Sequence, residues 1–205
     1  MKKLFALFCL LLGISTPVLA ADTPVELVRD TSRQVLDIIK QENGRNTRQI
    51  RQQVEGVAVP KFDFQRMTAL AVGLGWRQAN PTQQAALAQQ FQTLMVRTYS
   101  STMTRFKGAQ IDVKPAAVMG NGGREATVKT EVTLPNNNKG PVSVDYTMYR
   151  TAQGWKVFNV TVEGASLVTV YRNQFSQEIN KTGVDGLIKL LQNKNSGTVS
   201  TSSKG

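Results

Sequence analysis

Residues 155–175 read WKVFNVTVEGASLVTVYRNQF, and the apolar period changes partway along them. Up to Val162, Phe158, Val160 and Val162 alternate with polar neighbours, placing them on one face of an extended strand. From Leu167 or Val168 onward, apolar residues return through Tyr171, Phe175 and Ile179 at the spacing of a helical stripe. Only Glu163-Gly164 and a few small residues intervene. Glycine permits a tight bend, so the chain is expected to swing directly from strand into helix, with Glu163 placed to favour the positive end of that helix.

Upstream, the same period of two recurs. Ile111 and Val113, then Ala126, Val128, Val132 and Leu134, then Val142, Val144, Tyr146 and Met148 alternate with polar residues. Turns rich in Gly, Asn and Pro separate them, including Gly120–Gly123 and Pro135–Pro141, which predicts an antiparallel meander of four strands. Before these strands the signals are helical. Thr23-Pro24-Val25-Glu26 is a capping box with proline at the first helical position, and a helix to about Lys40 follows. A short helix over 47–54 and another opening at Lys61-Phe62-Asp63 and ending at Gly73 and Gly75, near Trp76, come next. Asn80-Pro81-Thr82-Gln83 then starts a long helix carrying Leu87, Phe91, Leu94, Met95, Thr98, Thr102 and Phe106, stopped by Gly108. A last helix is expected after Thr182, with Thr182 and Asp185 as its capping box.

The fold class that follows is α+β: a four-stranded antiparallel curved sheet covered by several helices. Where a sheet and long helices do not press together along their whole length they enclose an apolar cavity, a common place for apolar ligands. Residues 21–194 are expected to form one domain, and 195–205, ending in SGTVSTSSKG, a disordered tail.

Residues 1–20, MKKLFALFCLLLGISTPVLA, have the two lysines, short apolar run and small-residue end of a Sec signal peptide, cut after Ala20. Cys9, the single cysteine, would leave with it, and the chain has no histidine. Thiol and Ser-His-Asp catalysis and zinc sites built on Cys or His are thereby excluded. The carboxylates are dispersed: Asp22 and Glu26 suit a helix start, while Asp112, Glu125, Glu131 and Asp145 fall on polar phases of strands and are expected to be solvated. No catalytic residue and no metal ligand is assigned, and no cofactor is expected. Removing Lys2 and Lys3 takes the formal charge from +11 to +9. That favours anionic partners, including transient proximity to a membrane surface. Nucleic acid is disfavoured because the aromatic residues occupy apolar stripes instead of alternating with basic ones.

Two blocks carry more than periodicity. GWRQANPTQQAALAQQFQTLMVRTYSSTM and WKVFNVTVEGASLVTVYRNQFSQEINKTGVDGLIKLL resemble, in order and spacing, the periplasmic phospholipid-binding MlaC family, also called the toluene-tolerance auxiliary family. The shared pattern is Gly-Trp-Arg, the Pro-Thr-Gln helix start, Thr98-Tyr99, Trp155-Lys156-Val157, Glu163-Gly164, Ser166-Leu167-Val168, Tyr171-Arg172 and Gln174-Phe175. The resemblance implies a Gram-negative periplasmic carrier, not an enzyme. It would move a phospholipid between an outer-membrane lipoprotein/porin complex and the substrate-binding subunit of an inner-membrane ABC transporter, with the acyl chains in a cavity between sheet and helices.

Such cargo sets a physical demand. Exposing two chains of about 16 carbons to water costs on the order of 25 kcal/mol at about 0.8 kcal/mol per methylene, so a nearly water-free cavity is needed. Its walls are expected from Leu70, Leu74, Leu94, Thr98, Val128, Val144, Tyr146, Met148, Phe158, Val160, Val162, Val168, Tyr171 and Phe175. Trp76, Arg77 and Arg172 are candidates for headgroup contacts, since arginine pairs with phosphate and an amphipathic aromatic suits a mouth. Two other readings stay open: a periplasmic protein-interaction or chaperone module with a solid core, and an enzyme on a cone-shaped sheet.

Overall fold

The computed structural model describes residues 23–135, 138 and 140–197. The leader expected over residues 1–20 and the tail from 198 onward lie outside them.

Helix α1 (Pro24–Lys40) begins at the capping box read from the sequence: the Thr23 hydroxyl accepts from the Glu26 N–H, and Glu26 accepts from the Thr23 N–H. These bonds hold the Glu26 carboxyl below its usual range. The contribution is therefore present above the unfolded carboxylate range and is lost as pH falls through the lowered folded value. Helix α2 (Thr47–Ala58) runs four residues beyond the expected end at Val54. Ile39 of α1 and Ile50 of α2 bury together with Met103 in a small cluster that Phe106 flanks.

Helix α3 (Phe64–Val72) is capped by Asp63, which accepts from the Arg66 N–H at 2.8 Å. Gly73, at φ 65°, ends it. Gly75 and Trp76 do not belong to that terminus as expected; they sit in a separate short helix, α4 (Leu74–Gln78). Helix α5 (Pro81–Ser100) starts on a second capping box, in which Asn80 and Gln83 exchange side-chain to backbone bonds of 2.9 and 3.0 Å. It is shorter than its apolar spacing implied. The chain leaves the α-helical path after Ser100, and Phe106 ends a 3-10 turn facing α1 and α2. Asn80→Ala is expected to lower the unfolding free energy by about 1 kcal/mol, read from urea denaturation.

The sheet is six-stranded and antiparallel: β1 (Gln110–Val113), β2 (Val118–Gly120), β3 (Glu125–Thr133), β4 (Val142–Thr151), β5 (Gly154–Val162) and β6 (Ala165–Ser166). β1 and β2 both pair with β3, along different parts of it, with Pro115 in the break between them. They form one interrupted edge where the sequence suggested a single strand and a turn. The meander β3–β4–β5 is as expected.

At the stretch quoted first, the chain does not pass straight into helix. Val162 pairs with Ala165 and Thr161 with Ser166, so Glu163-Gly164 is a two-residue hairpin loop with φ 49° and 80°. Positive φ at both central residues is the requirement of the tightest hairpin turns. The helix that follows, α6 (Leu167–Ser196), is capped by the Ser166 hydroxyl and not by Glu163. Glu163 instead accepts from the Ser143 N–H at 2.5 Å, closing the β4–β5 end of the sheet.

Gly183, at φ 73° and ψ −175°, breaks α6 into segments 167–182 and 184–196. The expected capping box is absent because the Thr182 hydroxyl turns back to the Glu178 carbonyl at 3.0 Å, while Asp185 accepts from Gln83. Asn195 and Ser196, placed by the sequence in the tail, are helical, and the Asn195 amide donates to the Gln90 carbonyl at 2.9 Å.

Candidate functional site

The residues proposed as cavity walls separate into two groups. On the sheet, cross-strand pairing aligns Ala126, Met148 and Val157 in one row, Val128, Tyr146 and Val160 in the next, and Thr130, Val144 and Val162 in a third. With Val25 and Val28 of α1 and with Trp155, all of these but Thr130 make one apolar cluster. Along β4 and β5 burial thins in order. Met148 is fully buried and Val157 is 3 % exposed, Val160 is 8 % exposed and Tyr146 only partly buried, and Val144 and Val162 are both partly accessible. On β4 and β5 the face is sealed at the Met148 end and thins toward the Glu163-Gly164 hairpin, while on β3 Thr130 and Val132 stay buried.

Phe158 is not on this face. A register shift at Thr147/Met148 pairs Met148 with Val157, leaving Phe158 as the extra residue. A bulge of this kind re-aims one side chain. The Phe158 ring meets Tyr149 edge-on at 5.8 Å and lies under the Arg66 guanidinium, 4.0 Å from its centroid. Arg66 also pairs with Glu125 at 2.5 Å, so Glu125 is a partly buried ion-pair partner and not a solvated carboxylate. Tyr149 donates to Asp63, tying this outer cluster to the start of α3. Val157 takes the wall position the sequence had assigned to Phe158.

The helical candidates form a second cluster. Phe91 of α5 touches Tyr171 edge-on at 4.9 Å and Phe175 at 5.3 Å, with Met67, Ala71, Leu87 and Leu191 buried around them. Phe175 and Val168 are 2 % and 5 % exposed, and Leu70, Leu94 and Tyr171 pack against this cluster partly buried. These residues fill a helix–helix core. Leu74 is 70 % exposed, because the positive φ at Gly73 resets the helical phase and turns it outward. Thr98, beside the end of α5, is exposed as well. The two clusters meet at Phe62 and Leu167, which flank both. The sequence reads Phe62 only as part of a helix start, and Leu167 only as an alternative to Val168 at the head of the helical stripe; neither is proposed there as a wall residue.

The headgroup candidates lie on the helical cluster. Trp76 packs against it and its carbonyl accepts from the Gln84 amide at 2.8 Å. Arg172 donates from Nε to the Leu70 carbonyl at 2.9 Å, strapping α6 to α3, and Arg77 is exposed. Gly75 lets α4 approach α6 closely, since a Cβ there would lie 2.7 Å from Ile179 Cδ1.

Tyr146 differs from its neighbours. It sits mid-wall between Val128 and Val160, burial alone pushes its hydroxyl's pKa upward, and that hydroxyl has no hydrogen-bond partner among the described residues. Partial accessibility together with enclosure is the condition of a side chain lining an internal space. An open groove of about 690 Å³ lies elsewhere, between α3, α5 and the β4–β5 end, lined by Phe62, Phe64, Gln89, Gln92, Tyr149 and Lys156 among others. None of the proposed wall residues lines it, and its many amides make it too polar for acyl chains.

The fold and this face define an α+β protein whose sheet presents an apolar surface that is closed at one end and partly accessible at the other. A model of the MlaC protein family matches residues 29–193, and the chain belongs to that family. It is 25% identical over 183 residues to the toluene tolerance protein ttg2D of Pseudomonas putida, covering 87% of this chain and 83% of that one. Its structure resembles a phospholipid-binding protein of Ralstonia solanacearum solved in complex with a phospholipid. There the TM-score is 0.73 at 32% identity, over 84% of this chain and 96% of the other.

Proposed function

We propose that this protein is a non-enzymatic periplasmic carrier of phospholipid. The observation that carries the reading is the sheet face, whose apolar rows run from a sealed end at Met148 to an accessible end at Val144 and Val162. A likeness in fold to a protein solved with a phospholipid supports it. Acyl chains would lie along Val128, Val144, Tyr146, Val160 and Val162, with Met148 closing the bottom. Leu167, which flanks the sheet cluster as well as the helical one, is the helical residue best placed to face them.

In this reading the chain is exported by its first twenty residues and residues 21–194 act as one lipid-binding domain. It exchanges cargo with an outer-membrane lipoprotein/porin complex at one end and an ABC transporter's substrate-binding subunit at the other. Its excess positive charge suits brief contact with anionic surfaces. No cofactor is required, because the work is transfer between two environments of similar polarity. Loading and unloading are each close to balanced when the cavity wall resembles a bilayer interior.

The test is purification without detergent from the periplasm of a Gram-negative host, followed by lipid extraction and mass spectrometry with a stoichiometry count. Near-stoichiometric phospholipid is expected. A lipid-free protein that also refuses lipid from vesicles would favour an interaction module with a solid core.

A further inference from the structure

Within the apolar sheet face one polar atom stands apart. Tyr146 is aligned between Val128 on β3 and Val160 on β5, with Val144 and Met148 before and after it on the same face. Those four neighbours offer only methyl, methylene and thioether groups. The backbone amides and carbonyls around it are engaged in the β3–β4–β5 ladder, and no charged residue contributes to the behaviour of the hydroxyl, which responds to burial alone. The other hydroxyl in these rows, Thr130, is satisfied by donating to the Val144 carbonyl at 2.6 Å. Tyr146 has no such partner among the described residues. A phenylalanine would serve an acyl wall better, since a hydroxyl that acyl chains cut off from water costs free energy unless the ligand supplies an acceptor.

We propose that the Tyr146 hydroxyl is a ligand-recognition group, donating a hydrogen bond to an acyl-ester carbonyl of the bound lipid and so fixing how deep the chains enter the cavity. The inference rests on the carrier reading above and specifies what that site reads. An ester carbonyl fits the position better than a phosphate does. Phosphate carries a charge that would need a cation alongside, and the surroundings of Tyr146 are apolar. The carbonyl is neutral, accepts one strong bond, and lies where the two chains join the glycerol. Tyr146 is midway between the sealed row at Met148 and the accessible row at Val144. A carbonyl held there leaves the chain on the Met148 side and the headgroup on the Val144 side. The sheet would then recognise the linkage common to ester phospholipids and leave the headgroup free to vary.

The experiment uses lipid-stripped wild-type protein and Tyr146→Phe, each offered two phospholipids with the same headgroup and chain length. One has ester-linked chains and the other has ether-linked chains, which lack the carbonyl. Wild type is expected to retain the ester lipid about three- to tenfold better than the ether lipid, the range of one net hydrogen bond. Tyr146→Phe is expected to lose that preference while keeping its affinity for the ether lipid. In the lipid-free state the variant should unfold at about the same urea concentration, because no hydrogen bond to the described residues has been removed. Equal retention of both lipids by wild type, or an unchanged preference in Tyr146→Phe, overturns the assignment while leaving the carrier reading intact. Failure of wild type to take up either lipid overturns the carrier reading itself.

Discussion

Phe91→Ala is expected to lower the unfolding free energy of the lipid-free protein by about 4 kcal/mol, within the range for truncating a buried aromatic side chain. Phe91 is fully buried and is the hub of the helical cluster, in edge-on contact with both Tyr171 and Phe175. Its removal takes away the apolar surface of one ring, leaves a cavity that rigid helices cannot close, and ends two aromatic contacts. At about 2–4 °C per kcal/mol for a chain of this size, the midpoint of thermal unfolding should fall by roughly 10 °C. Urea denaturation and calorimetry on stripped protein check the value. The result also decides what this cluster is. If Phe91, Tyr171 and Phe175 enclosed a cargo space, truncating one ring would only enlarge it, and the loss would be under about 1 kcal/mol. A full loss makes the helices a solid scaffold and leaves the sheet face as the lipid wall.

The helix starts were legible because their signals are local. A side chain three residues from a backbone N–H either can or cannot reach it, and both Thr23/Glu26 and Asn80/Gln83 form the bonds their spacing implied. Strands β3, β4 and β5 were legible because one apolar face repeats every second residue. The Thr182/Asp185 box failed although its spacing was local, because Thr182 bonds back to Glu178 and Asp185 accepts from Gln83. Several other failures arise where phase is reset. Gly73 rotates Leu74 away from the side of α3 that carries Phe64, Met67 and Leu70, and the 3-10 turn after Ser100 carries Phe106 to α1 and α2. The bulge opposite Thr147/Met148 moves Phe158 to the other side of the sheet. A bulge depends on how two strands fit, so the alternation within one strand cannot announce it.

The division of wall from core was hidden for a different reason. Apolar stripes on helix and strand look alike whether they meet each other or face a cavity. Val168 and Phe175 turned into the helical core, whereas Val144 and Val162 kept part of their surface accessible. Hydrophobicity records what avoids water and says nothing of what replaces it.

Val144→Glu is expected to reduce retained phospholipid by more than about 100-fold while lowering the stability of the stripped protein by only about 1 kcal/mol. Val144 lies in the accessible row, opposite Val162 on β5, so in the empty protein a glutamate there can turn toward water at the hairpin end. When acyl chains fill the same space, the carboxylate must either be buried against methylenes with no partner or occupy their place. Burying an unpaired charge costs several kcal/mol, which is more than enough for a hundredfold loss. Met148→Glu is the contrasting variant. Met148 is fully buried with Ala126 and Val157 as cross-strand neighbours, so a charge there has no route to solvent and should prevent stable folding. Lipid mass spectrometry and urea denaturation on both variants separate binding from folding. A carrier whose cavity opens toward the hairpin gives opposite outcomes at the two positions, with lipid lost at 144 and the fold lost at 148. If Val144→Glu instead unfolds the chain as severely as Met148→Glu, the sheet face is a closed core from end to end and holds no cargo.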